Sequence, residues 1–62
     1  MNGYYKLLIE IIKRHGGFFV RSGRGDHEIW KCGDFQTVVD RGIKSRVTAN
    51  ACLKQLHINE RL

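Results

Sequence analysis

FFVRSGRGDHEIWKCGDFQTVV, residues 18–39, decides the fold. Three runs rich in aromatic and β-branched residues, Phe18 to Ser22, His27 to Cys32 and Phe35 to Val39, are separated by Gly23-Arg24-Gly25-Asp26 and by Gly33-Asp34. Residues of those types favour strands, and glycine-rich breaks between them mark turns, so the stretch predicts an antiparallel meander. The second break is a tight hairpin, because Gly and Asp tolerate the positive φ that two-residue loops demand. The first break is longer and looser. Strict alternation along the first strand places Phe18, Val20 and Ser22 on one side and Phe19 and Arg21 on the other, leaving apolar groups on both faces.

Outward on the N-terminal side, Tyr4, Tyr5, Leu8, Ile9, Ile11 and Ile12 recur at helical spacing, with Lys6, Glu10, Lys13 and Arg14 on the opposite face. This predicts an amphipathic helix that Asn2 would cap, that a Glu10–Arg14 pair would brace and that Gly16-Gly17 would end. On the C-terminal side a polar connection, Asp40 to Lys44, leads to Ala49, Cys52, Leu53 and Leu56 at i, i+3, i+4 and i+7, a second helix. Ser45 is its natural N-cap, with Thr48 a rival. The expected architecture is α+β, an α-β-β-β-α order with a three-stranded antiparallel sheet and both helices on one sheet face. Two helices cover only one face, so several apolar residues on the other would suggest a surface covered by another protein or a second copy.

With 62 residues, 42% of them hydrophobic, the chain reads as one domain, residues 1–62, with a core near the lower limit for independent folding. A disulfide, a metal or a partner is then the expected extra stabiliser. Cys32 and Cys52 lack a paired ligand spacing and sit in apolar stretches, so they read as buried free thiols. No basic stretch followed by a long apolar run opens the chain, and the expectation is a cytoplasmic protein without membrane contact. A net charge of +5 raises the prospect of a nucleic-acid partner. Scattered Lys and Arg also serve solubility, so charge alone does not decide.

Of the three histidines, only His27 has an informative setting, at the start of a strand directly after the glycine turn. A histidine held there titrates near neutral pH and can act as general base or acid; the plain alternative is an exposed strand residue. Arg21, Arg24 and Lys31 flank it, and hairpin pairing would bring Arg21 and Lys31 onto neighbouring strands within reach of one anion. In-line attack by a ribose 2′-hydroxyl needs a base and cations that offset charge on the phosphoryl oxygens, which these residue types supply without a metal or cofactor. A solvated basic face is the competing reading. A zinc site from Cys32, Cys52, His27 and His57 lacks any typical ligand spacing.

The order helix, glycine pair, aromatic strand, glycine turn, then Asp26-His27-Glu28-Ile29-Trp30 and Lys44-Ser45-Arg46-Val47-Thr48-Ala49-Asn50-Ala51, resembles the HicA toxins of bacterial HicA–HicB toxin–antitoxin pairs. The resemblance spans nearly the whole chain and includes the helix that ends Leu53-Lys54-Gln55-Leu56. It implies a fold similar to double-stranded-RNA-binding domains and a metal-independent endoribonuclease (an mRNA interferase) with His27 in the position of the family's histidine. It implies a HicB-like antitoxin that packs over that histidine and supplies the extra stabiliser. Asp26 stands where many members have serine, and Asp40-Arg41 replaces a proline-containing stretch common in relatives.

Two other classes share these features. A non-catalytic module of the same fold would read RNA by shape and backbone and keep binding without His27. A pure protein-interaction domain would show no salt-dependent affinity for nucleic acid.

Overall fold

A computed structural model describes residues 3–62 and has the expected order: α1 (Tyr5–Arg14), β1 (Phe18–Ser22), β2 (His27–Cys32), β3 (Phe35–Asp40) and α2 (Arg46–Gln55). The strands form one antiparallel sheet in the order β1-β2-β3. Both helices pack on one face of it, around Leu8, Ile12, Val39, Leu53 and Leu56, each essentially inaccessible to solvent. Trp30 and Val39 supply the sheet's side of this core, and Phe19 meets Trp30 edge-on at 5.8 Å between ring centroids.

The helix ends follow the local chemistry. Asn2 lies outside the described residues; Tyr4 holds the N-cap position of α1 without a side-chain cap bond. At the other end Gly16 takes φ 86°, and Gly17 allows the chain to pass so close to Ile12 and to the Lys31 carbonyl that a Cβ would lie 2.4 Å from Ile12 Cγ2. The brace drawn from Glu10 is replaced: Arg14 pairs with Glu60 from the C-terminal tail, whose other carboxylate oxygen meets His15 Nε2 at 2.9 Å. The hydrogen bond from His15, with Arg14 nearby, holds the Glu60 carboxyl below its usual range. Ser45 caps α2, accepting from the Thr48 N–H at 3.3 Å. That helix closes with His57 at φ 59° and the Ile58 N–H bonded to the Leu53 carbonyl, a Schellman end whose left-handed residue is a histidine in place of glycine.

Three sequence-based expectations change. The connection after β3 is not wholly polar, because Ile43 drops into the core, joined by Ile58 beyond α2. In the β2–β3 hairpin Gly33 alone has positive φ, 62°, so Asp34 needs no unusual backbone. Most consequential is β1. Phe19 pairs with Trp30, but Arg21 pairs with Ile29, which leaves Val20 as the extra residue of a β-bulge. Simple alternation therefore fails: Phe18 and Arg21 share the open face, while Phe19 and Ser22 share the helix-covered one.

Candidate functional site

The bulge decides what stands beside what. Without it, Arg21 would face Glu28 on the helix side. With it, Arg21 lies opposite Ile29, on the face that also carries His27 and Lys31 at two-residue intervals along β2. Of the cations expected to hold a phosphate, Arg21 and Lys31 thus stand on the same open face as His27. Arg24 is exposed in the turn that leads into β2. Among the described residues none of these three cations enters an ion pair, so their charge is available to an external anion. The same face exposes Phe18 and Val38, each about half accessible, beside the bulged Val20. This is the uncovered apolar surface expected from having two helices and one sheet.

His27 begins β2, its side chain half exposed at 51%. Its backbone is fixed on both sides: the N–H donates to the Arg24 carbonyl at 3.2 Å, and the carbonyl accepts from the Gly23 N–H at 2.7 Å. Across the sheet its partner is Asp40, with Asp40 Oδ2 3.7 Å from His27 Nε2. The other Asp40 oxygen accepts the Gly42 N–H at 2.8 Å, which holds the carboxylate in place.

Asp26 does not orient the histidine ring. Its carboxylate pairs with Arg41 at 3.2 Å, and its carbonyl accepts the Arg41 backbone N–H at 2.9 Å. The glycine turn is thereby tied to the end of β3, and a neighbouring guanidinium offsets the negative charge that Asp26 brings near the basic face. Arg41 also lies 3.9 Å from Glu28. Glu28 faces the helices, where Oε1 accepts from the Tyr5 hydroxyl at 2.7 Å and from Trp30 Nε1 at 2.9 Å. Burial of the phenol, and then its bond to Glu28, push Tyr5 up to about 12.

Sequence reasoning selected His27 and its cations but gave Asp40, Arg41 and Glu28 no place in the site. The first was recoverable. A two-residue Gly33-Asp34 loop pairs Cys32 with Phe35, and counting outward from there pairs His27 with Asp40. The Arg41 contacts depend on how the chain leaves β3, which no periodicity encodes.

The four residues of the imagined zinc site do not converge on a common purpose. His57 stacks on Phe35 with ring centroids 3.8 Å apart, and Cys52 Sγ donates to the Val38 carbonyl at 3.5 Å. Burial pushes the Cys52 thiol up. Cys32 is half-buried, with its Sγ 3.5 Å from the His15 carbonyl, and both cysteines are free thiols. Among the described residues no three His, Cys, Asp or Glu side chains are grouped to hold a metal ion, and no helix is long and apolar enough to cross a membrane. Comparison with known protein families, characterised proteins and solved structures finds no significant match.

Proposed function

We propose that the chain is the toxin of a HicA-like toxin–antitoxin pair, a metal-independent endoribonuclease that cleaves mRNA in the cytoplasm and so inhibits translation. One observation carries this reading. A half-exposed histidine with a rigidly bonded backbone shares an open sheet face with two cations that enter no ion pair among the described residues, Lys31 on its own strand and Arg21, which a bulge brings to this face. The resemblance of the Asp26-His27-Glu28-Ile29-Trp30 and Lys44–Ala51 segments to that family supports it further.

In this reading the substrate phosphate lies over Arg21 and Lys31, with Arg24 contacting a neighbouring phosphate from the turn. His27 removes the proton from the ribose 2′-hydroxyl, or gives one to the departing 5′-oxygen. The 2′-oxygen bonds to phosphorus as the 5′-oxygen leaves, giving a 2′,3′-cyclic phosphate and a 5′-hydroxyl. The cations stabilise charge on the equatorial oxygens. One histidine does not perform both transfers at once, so water completes the other. A HicB-like antitoxin would cover Phe18, Val38 and the adjacent His27, burying apolar surface and blocking RNA together.

The test is cleavage of a long unstructured RNA, with EDTA present, by wild type and by His27→Ala. Cleavage by the wild type alone, with both proteins folded, is the expected result. The same exposed basic face also fits a binding module, which is the alternative if neither protein cuts and both bind RNA equally.

A further inference from the structure

The end of β3 touches each of the three residues centred on His27. Asp40 faces the His27 ring at 3.7 Å. Arg41, the next residue, bonds the preceding Asp26 through both its backbone N–H and its guanidinium, and its Nε lies 3.9 Å from the following Glu28. Both members of this pair are anchored. The Gly42 N–H holds Asp40 Oδ1, leaving Oδ2 toward the histidine. Glu28, which receives Arg41, is itself fixed by Tyr5 and Trp30. A chain of polar contacts thus runs from the core, through Glu28 and Arg41, to the glycine turn, with His27 between its two ends.

We infer that Asp40 and Arg41 form a clamp that positions His27, an inference that rests on His27 being the reactive group in the proposed reaction. Asp40 Oδ2 faces Nε2 across 3.7 Å, beyond a direct hydrogen bond but close enough to attract its N–H, which leaves Nδ1 as the nitrogen presented to substrate. Arg41 keeps the turn from swinging and so fixes the backbone from which the ring projects. Neither residue touches RNA; both act through His27. The two cooperate because the hairpin register that sets Asp40 opposite His27 also sets Arg41 beside Asp26. A glycine turn free of this tie would let the histidine sample many directions, and misplacement by about 1 Å can cost a hundredfold in rate.

The test uses the full chain with Asp40→Asn and Arg41→Gln. Asp40→Asn keeps an oxygen for the Gly42 N–H while removing the charge that faces His27, and Arg41→Gln keeps the backbone N–H bond to Asp26. In each, kcat for cleavage should fall about tenfold or more while KM stays near wild type. Arg41→Lys should rescue only in part, since one ammonium does not span Asp26 and Glu28. A rise in KM at constant kcat would overturn the inference and make Arg41 a phosphate contact; unchanged kinetics would overturn it outright. A second readout does not depend on cleavage. Hα–Hβ coupling constants of His27 should report one χ1 rotamer in the wild type and averaging in both variants, with His57 on Phe35 as an internal control for folding. If the wild type cuts nothing, the ribonuclease reading fails, while the couplings still decide the clamp: averaging already present in the wild type, or none in the variants, would refute it.

Discussion

Glu28 is the residue on which the site and the core meet. A strand position that reads as polar is instead buried to 9% exposure, and its carboxylate is satisfied by a phenol, an indole N–H and a nearby guanidinium. A buried carboxylate without such partners would be costly, so Tyr5 is part of what allows Glu28 to sit there. The titration of Tyr5 exposes this link. Its folded value of about 12 lies above the ordinary 10.0, so the unfolded chain gives up this proton first as pH rises. The native state then binds more protons than the unfolded state, and stability falls with pH through this window. The contribution is complete below the ordinary value and is lost as pH climbs toward the folded one. Urea midpoints measured across the alkaline range should show that decline in the wild type. Tyr5→Phe should be less stable at neutral pH and flatter at high pH, and an equally steep decline in both proteins would remove Tyr5 as its source.

At the scale of elements, the bulge in β1 is the feature that makes a site out of three strands. Period-two reasoning assigned Arg21 to the side of Phe19, because a bulge leaves no mark in an alternation that is apolar on both faces. Helix spans, hairpin loops and the Ser45 cap were legible, since each rests on local chemistry: the stripe from Ala49 to Leu56, the positive φ at Gly33 and the oxygen offered to Thr48. Ile43, Ile58 and the Arg14–Glu60 pair were not, because long-range packing of loop and tail selects them. Deleting Val20 tests the role assigned to the bulge. With Phe19 opposite Trp30, a four-residue β1 in regular register keeps Arg21 opposite Ile29 and on the face of His27. The deletion should therefore keep RNA binding near that of the wild type, where Arg21→Gln weakens it, and keep the far-ultraviolet circular dichroism of the fold. If the deletion weakens RNA binding as much as Arg21→Gln does, the bulge supplies more than the face on which Arg21 stands.

For the whole molecule, size and charge set the terms. At roughly 0.05–0.15 kcal/mol per residue, a domain of this length has only a few kcal/mol of stability. Leu53, 1% exposed at the centre of the core, has little room to lose: Leu53→Ala should cost about 2–5 kcal/mol, enough to unfold much of the population at 25 °C. A loss below 1 kcal/mol would mean that the helices rest on the sheet more loosely than this packing implies. The net charge of +5 acts at the same scale, drawing polyanions to the whole surface, but only cations that touch phosphate release counterions on binding. If Arg21, Arg24 and Lys31 are those cations, the logarithm of affinity for single-stranded RNA should fall against the logarithm of salt concentration with a slope of about −2. Replacing Arg24 with Gln should make that slope shallower by about 0.7, because one phosphate contact is lost. Arg46, on the helix that covers the opposite face, is the control: Arg46→Gln should lower the net charge equally and leave the slope alone. A slope that responds to both substitutions alike would point to a diffuse basic surface, and one near zero would favour a domain that binds only protein.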